Sequence, residues 1–428
     1  MTVGNPISRI ASAVAGLVWL CAIGSVAAAG EPLDSWVRQA LERNQEVIAA
    51  REAWTAARQQ APRARSLRDP MLGVDFMRMD QTRLDDVDMT EVMLSQQIPW
   101  FGKRRAGIDA AERRAQASGL RYLETRRAVQ TEVVAAYWNL WAAQRAIVIN
   151  GAQRELIEQF EAVARVRYEA GGGLQADLLR AQVEQDRLDN EAVNLQQQRE
   201  VAQARLNRLL SAPPDTLRSV DDPPDPDPVT ANVQELQAQA RARYLPLQAA
   251  RREIAAREAG LRAARLDNAP DFEFRVMARQ YSGRSGIQEI DTGVAINVPW
   301  LWRGKYTAAT NAARAERDRA QADYLNRLDR LAQEVTEAYA AVDAARRSIR
   351  LLETTVLPRT GELVESTRAA YEGGRVSLLE LVTAQRTWED AALTLDRARA
   401  RYAADVARLS ALTGAWTAYE QETGLLDE

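Results

Sequence analysis

This chain of 428 residues contains no histidine, and its one cysteine, Cys21, lies close to the N-terminus. Those two absences remove much of enzyme chemistry. A Ser-His-Asp triad, a Cys-His pair and nearly every zinc or copper site need His or Cys side chains. Carboxylate-only sites survive the exclusion, but Asp and Glu on helix faces are mostly just solvated. The composition therefore points away from an enzyme, and no cofactor or resident metal is expected. An excess of one charge is missing too. The 56 basic and 59 acidic residues give a net charge of −3, so no basic patch argues for nucleic acid. Long apolar runs are absent beyond the N-terminus.

Residues 1–29 have the pattern of a secretory signal peptide. Arg9 precedes an apolar run from Ile10 to Val26, and Ala27-Ala28-Ala29 offers a small-residue cleavage site. A transmembrane anchor fits less well, because the run is short for a span. Acylation of Cys21 fits less well too, because Leu20 stands where a lipoprotein signal has a small residue. The mature protein is expected outside the cytoplasm, with no helical membrane span.

What the chain does have is periodicity. Tyr324, Leu328, Leu331, Val335, Ala338, Val342, Ala345, Ile349, Leu352 and Val356 are spaced alternately by four and three. This is an apolar seam of period 3.5, the mark of helices packed knobs into holes. It lies in a helical pattern over about 305–371, roughly 100 Å of helix at 1.5 Å per residue. Pro358 is expected to kink it.

The same rod occurs twice. The stretch from Glu132 through Tyr137 to Ile147 lies over Glu334 through Tyr339 to Ile349 at one fixed offset. A period near 200 residues is too long for a solenoid unit. It divides the chain into two related halves, 30–228 and 229–428.

Each half repeats one order. The first has an amphipathic helix over 34–65, stopped by Pro62 and Asp69-Pro70. Period-2 alternation follows over 71–80 and 92–98, around a polar loop at 80–88, and reads as a β-hairpin. The hairpin leaves through Pro99-Trp100-Phe101-Gly102-Lys103 into a rod over 104–168. Gly171-Gly172-Gly173 breaks the rod, and a return helix runs over 174–210. A Pro- and Asp-rich linker at 221–229 leads to the second half. There the helix is expected over 233–266 and the strands over 272–281 and 290–298. The junction is Pro299-Trp300-Leu301-Trp302-Arg303-Gly304-Lys305. The rod runs over 305–371, breaks at Gly373-Gly374, and the last helix reaches Thr413 before Gly414.

Four alternating strands of about ten residues have the length of tilted membrane spans. The polar face of the third carries Glu273, Arg275 and Arg279, which suits a water-filled lumen. Trp100, Phe101, Trp300 and Trp302 stand where strands leave, as in an interfacial girdle. Four strands do not close a barrel, and an open edge does not face lipid. Two copies would give a barrel filled by side chains, and three give a pore. The expected assembly is a homotrimer. The expected fold is mainly α with a small transmembrane β part: long coiled-coil hairpins form an α-barrel, and each chain adds four strands to a shared 12-stranded β-barrel. The return helix with 233–266 is expected to match one rod in length, and the last helix with 34–65 the other.

These features resemble the TolC-like outer-membrane factor family over essentially the whole mature chain. The resemblance rests on the duplicated order and on two tip motifs. One runs Tyr168-Glu-Ala-Gly171-Gly172-Gly173 to Asp177 and Gln182. The other runs Tyr371-Glu-Gly373-Gly374 to Glu380 and Gln385, with Arg165 and Arg368 preceding them at equal distance. The resemblance implies a barrel in outer-membrane lipid of a Gram-negative bacterium and a helical tube across the periplasm. It implies tips that meet a periplasmic adaptor and, through it, an inner-membrane pump of the RND type. Arg165, Tyr168, Gly171, Gly172, Gly173, Arg368, Tyr371, Gly373 and Gly374 are then the adaptor-binding tips. An acidic pore constriction falls on Glu380, with Asp177 as counterpart, and the family's next acid falls on Thr383 here. For Asp177 a plain helix N-terminal acid is the equal alternative. Arg165, Arg368 and Asp177 are candidates for inter-helix pairs that hold the tips shut. Gln97-Ile98-Pro99-Trp100-Phe101-Gly102-Lys103-Arg104 looks like the branch that serves heavy-metal efflux pumps. A multidrug or type I secretion channel and a periplasmic coiled-coil scaffold or adaptor stay open as alternatives.

Overall fold

The computed structural model describes residues 33–77, 88–221, 226 and 228–415. The leader, Cys21, most of the polar loop at 80–88 and part of the linker lie outside the described residues.

The element order repeats. The first half holds α1 (Leu33–Arg43), α2 (Gln45–Arg65), β1 (Met71–Met77), β2 (Met89–Ile98), α3 (Lys103–Glu169) and α4 (Gln175–Leu209). The second holds α5 (Val233–Arg243), α6 (Leu245–Leu266), β3 (Phe272–Tyr281), β4 (Glu289–Ile296), α7 (Arg303–Leu351), α8 (Leu357–Glu372) and α9 (Leu378–Thr413). Among the described residues no helix is long and apolar enough to cross a membrane.

Each half therefore opens with two helices where the periodicity suggests one. The first break falls at Asn44, whose side chain accepts from the Glu46 and Val47 amides and caps α2. The second falls at Tyr244, just before Pro246 in the first turn of α6, a position that tolerates a missing N–H.

These breaks decide the stacking. The Asn44 amide donates to the Leu209 carbonyl at 3.0 Å, so α2 continues from the end of α4. A Cβ on Gly414 would stand 2.7 Å from Arg243 Cβ, so α9 ends where α5 meets α6. Each return helix is thus prolonged by a helix of its own half, α4 by α2 and α9 by α6. The crosswise pairing drawn from helix lengths is incorrect, because length alone does not say which ends meet. The columns run α4 with α2, then α3, then α9 with α6, then α7.

The heptad seam is real. All ten of its positions are buried or half-buried, with Leu331, Val335, Ala338 and Val342 among the most enclosed. A second core packs Trp36, Tyr137, Trp138 and Trp141 against Leu206 and Leu209. Pro358 does not break its rod. The five residues Leu352–Val356 form a π-helical turn, and the Leu357 amide bonds the Leu352 carbonyl. Widening the turn spares Pro358 a clash with the carbonyl four residues back and absorbs its missing N–H.

The strands form one antiparallel sheet in the order β1-β2-β3-β4. The register puts Leu72, Leu94 and Val276 in one row, and Val74, Val92, Ala278 and Ile290 in the next, on one face. That face is bare: Leu72, Phe76, Val276, Ile290 and Val294 are all exposed. The opposite face carries Asp75, Glu91, Arg279 and Glu289 directly across from one another.

Candidate functional site

Two places gather the residues singled out above: the distal tips, and the junction where strands become rods.

At the tips α3 and α8 end alike. Gly171 and Gly374 take the left-handed conformation, with φ of 75° and 70°. This is the usual glycine end of a helix. The Gly171 amide donates to the Tyr168 carbonyl, and the Gly374 amide to the Tyr371 carbonyl, each at 3.0 Å. Gly173 is fixed differently: a Cβ there would meet Arg167 Cβ and the Tyr168 nitrogen at 2.9 Å.

The two tips then diverge. The Tyr371 ring is buried, and burial pushes its hydroxyl pKa up, whereas Tyr168 is exposed. Tyr371 packs in a core cluster with Phe160, Leu378 and Leu381, and Arg167 lies over its ring. Its guanidinium lies 4.9 Å from the Tyr371 ring centroid and donates to the Tyr371 and Glu372 carbonyls at 3.2 and 2.9 Å. The first tip thus holds the second.

The acids also differ. Glu380 is exposed in the first turn of α9, and no partner for it occurs among the described residues. Asp177 occupies the equivalent turn of α4, but its side chain is only 16% exposed and pairs with Arg180 at 3.4 Å. Thr383 is exposed, and its hydroxyl donates to the Leu379 carbonyl at 2.7 Å. Arg165 and Arg368 do not bridge helices within the chain. Each pairs one turn away on its own helix, with Glu161 and Glu372.

Just above the tips, α4 and α9 share a charged cluster. The Glu184 side chain is 3% exposed and accepts from both Arg386 and Arg187. Arg187 also reaches Glu389 at 3.1 Å. Burial raises the Glu184 carboxyl, and the two arginines more than reverse this, leaving it below the usual range. At Glu389 burial dominates, and its carboxyl stays above that range.

At the junction Lys103, the first residue of α3, is 10% exposed. It donates to the Asp271 carboxylate at 2.8 Å and the Ala269 carbonyl at 2.7 Å. Asp271 also accepts from the Trp100 amide, and Trp100 stacks on Phe272 at 5.4 Å between centroids. Trp100 is therefore a packing joint between halves. Phe101, Trp300 and Trp302 are exposed.

Arg167, the Glu184 cluster and Asp271 carry no mark in the sequence, and the junction motif does not show what Lys103 pairs with. Each joins one half to the other, and comparing the halves highlights only what they share. Among the described residues no group of three His, Cys, Asp or Glu is placed to hold a metal ion. The arrangement offers one apolar sheet face, one charged sheet face, and a distal end tipped with a free carboxylate.

A model of the outer membrane efflux protein family matches residues 36–212 and 236–415, one match in each half. The cobalt-zinc-cadmium resistance protein CzcC of Cupriavidus metallidurans is 25% identical over 304 residues, covering 70% of this chain and 69% of that protein. The outer-membrane channel OprN superposes with a TM-score of 0.76 at 20% identity, covering 89% of each chain. CusC superposes at 0.77 and 17% identity, covering 90% of this chain and 92% of its own. VceC of Vibrio cholerae does so at 0.75 and 18%, covering 89% and 96%. At these identities the superpositions speak for the fold. The chain belongs to the outer membrane efflux protein family, channels of the outer membrane with periplasmic helical tubes, and shares their mainly helical, two-repeat build with a small antiparallel sheet.

Proposed function

We propose that three copies of this chain form one efflux channel that passes heavy-metal cations to the exterior. A periplasmic adaptor and an inner-membrane pump of the RND type would deliver them. The observation that carries the channel is the sheet: one bare apolar face, one charged face, and free edges on β1 and β4. Unpaired edges are not tolerated in lipid, and three four-stranded sheets close a barrel wide enough to conduct. Outer-membrane lipid covers the apolar face, with Phe101, Trp300 and Trp302 as the interfacial girdle.

Around a threefold axis three copies of Glu380 would ring the distal end. Carboxylates in a narrow, low-dielectric wall favour cations. Asp177 contributes less to that constriction, because Arg180 offsets its charge, and Thr383 adds hydroxyls. The exposed helix ends around Tyr168, Gly171, Gly172, Gly374, Arg165 and Arg368 are the surface offered to the adaptor. Support for metals comes from the likeness to CzcC, whose name states cobalt, zinc and cadmium.

The test is growth of a strain lacking the gene, titrated against cobalt, zinc, cadmium, copper and silver, and separately against lipophilic drugs and dyes. Sensitivity to metals alone is expected. Sensitivity to drugs alone would keep the channel and overturn the metal cargo in favour of multidrug export.

A further inference from the structure

The methionines of this chain are not spread through it. Apart from Met1 they fall at Met71, Met77, Met79, Met89, Met93 and Met277, and Met79 lies outside the described residues. The described helices contain none. A flexible thioether is a common filler of irregular cores, yet the cores between these helices do without it. The methionines of the strands also share one face of the sheet. Alternation puts them on the charged face, with Asp75, Glu91 and Arg279, and leaves the apolar face with none.

On that face they are paired. Met93 stands directly across from Met277, and Met77 directly across from Met89. Side chains so placed have Cβ atoms about 5 Å apart, so two thioether sulfurs can close on one ion between them. The other neighbours of the first pair are Gly73, which has no side chain to cover Met93, and Asp291, beside Met277. The two pairs are four residues apart along β2, roughly 13 Å. Met93–Met277 stands nearer the rods, and Met77–Met89 nearer the hairpin loops. Between them lies a row of Asp75, Glu91, Arg279 and Glu289. Arg279 bonds Glu91 at 2.7 Å and Asp291 at 2.6 Å, while Asp75 is exposed and has no partner among the described residues.

Thioether sulfur is a soft, uncharged donor. It suits closed-shell monovalent ions such as Cu(I), and it is not among the nitrogen, thiolate and carboxylate donors that hold Zn(II). Carboxylates on the same face attract any cation; the sulfurs discriminate among them. We infer that the Met93–Met277 and Met77–Met89 pairs are binding sites for soft monovalent metal cations, Cu(I) and Ag(I), in transit along the charged face of the sheet. The inference rests on the metal cargo proposed above and narrows it, but each pair lies within a single chain and needs no second copy to form. Two neutral sulfurs make a weak site, and two such sites in series suit passage, since an ion that is to leave must not be held tightly.

The test uses the full-length protein purified in detergent, in a Cys21→Ser background so that no thiol competes. The probe is silver nitrate in chloride-free buffer, because Ag(I) needs no reductant. Isothermal titration should show one silver ion bound per methionine pair. Met93→Leu with Met277→Leu should lose one of them, Met77→Leu with Met89→Leu the other, and the four-leucine variant both. Leucine nearly conserves the volume of methionine, and the unfolding midpoint of each variant checks that the sheet is kept. X-ray absorption of silver on the unsubstituted pairs should show sulfur directly bound to the metal. Zinc and cobalt nitrates should give no binding that the leucines remove. Silver bound equally by the four-leucine variant, or bound through oxygen alone, overturns the sites. Growth decides the cargo separately. Cells carrying the four-leucine variant should become sensitive to silver and copper and keep their tolerance of cobalt, zinc and cadmium. Unchanged silver and copper tolerance, in a strain made sensitive to those metals by deletion of the gene, overturns the part of the pairs in transit. Silver bound at the pairs, with a deletion strain that tolerates every metal, keeps the sites and overturns the cargo.

Discussion

The guanidinium of Arg167 lies 4.9 Å from the ring centroid of Tyr371, a residue 204 positions away, and also bonds that residue's carbonyl. One side chain thus ties the end of the first rod to the end of the second. A cation on an aromatic face contributes about 0.5–1 kcal/mol where exposed, and each hydrogen bond about 0.5–1.5 kcal/mol. Arg167→Ala should therefore free the second tip by roughly 1–3 kcal/mol with little change in overall stability. Single-channel conductance in planar bilayers should rise, and Arg167→Lys should fall between wild type and alanine, because lysine keeps the charge but not the fork. Equal conductance in all three would show that the contact does not restrain the mouth.

Glu380 and Asp177 occupy the same turn of equivalent helices, but only Asp177 has a cationic neighbour on hand. Reversal potentials under a salt gradient should show Glu380→Gln lowering cation preference more than Asp177→Asn. Thr383→Asp should raise it by adding a carboxylate to the same exposed face. The opposite ranking of Glu380 and Asp177 would move the constriction to the first tip.

Acid stability should carry the signature of Glu184. Its carboxyl titrates below the usual range in the folded chain, so its contribution is present above the unfolded value near 4.5 and is lost as pH falls through the folded value. Glu389, held above that range, acts in the opposite sense and gains as pH falls. Glu184→Gln should lower the midpoint of thermal unfolding at pH 7 by replacing the carboxylate that Arg386 and Arg187 share with a neutral amide, which leaves Glu389 as the one carboxylate on Arg187. The cost is about 1–3 kcal/mol, less than for a fully buried pair, since both arginines are partly exposed. The variant should also lose less of its midpoint between pH 6 and pH 3 than wild type, as followed by circular dichroism. An unchanged acid limb would exclude Glu184 as its source.

Much of this molecule was legible as periodicity. The seam from Tyr324 to Val356, the four alternating strands and the two glycine tips each express a local rule, and each stands in the fold within a few residues of where the pattern puts it. Asn44 was legible in principle, as a capping residue ahead of an acidic first turn, but strong apolar periodicity on both sides hides a one-residue break. What could not be read were contacts between the halves. That Trp100 stacks on Phe272 of the other half is one such contact. Arg165 and Arg368 attract notice because they match, yet Arg167, which matches nothing, makes the bond between tips. Duplication preserves what both halves need for folding, and the specialised residues lie where the copies have diverged.

The widened turn beside Pro358 makes the two rods mechanically unequal. From Lys103 to Glu169 the first rod is one unbroken α-helix. The second has a joint at Leu352–Val356, and beyond it α8 is a lever of 16 residues. That lever is roughly 24 Å long, so a rotation of about 10° at the joint carries its end about 4 Å. Arg167 grips the far end of the lever, at Tyr371 and Glu372, from a rod that has no such joint. The turn that departs from α-helical geometry and the side chain that holds the far tip thus lie in different halves of one duplicated chain.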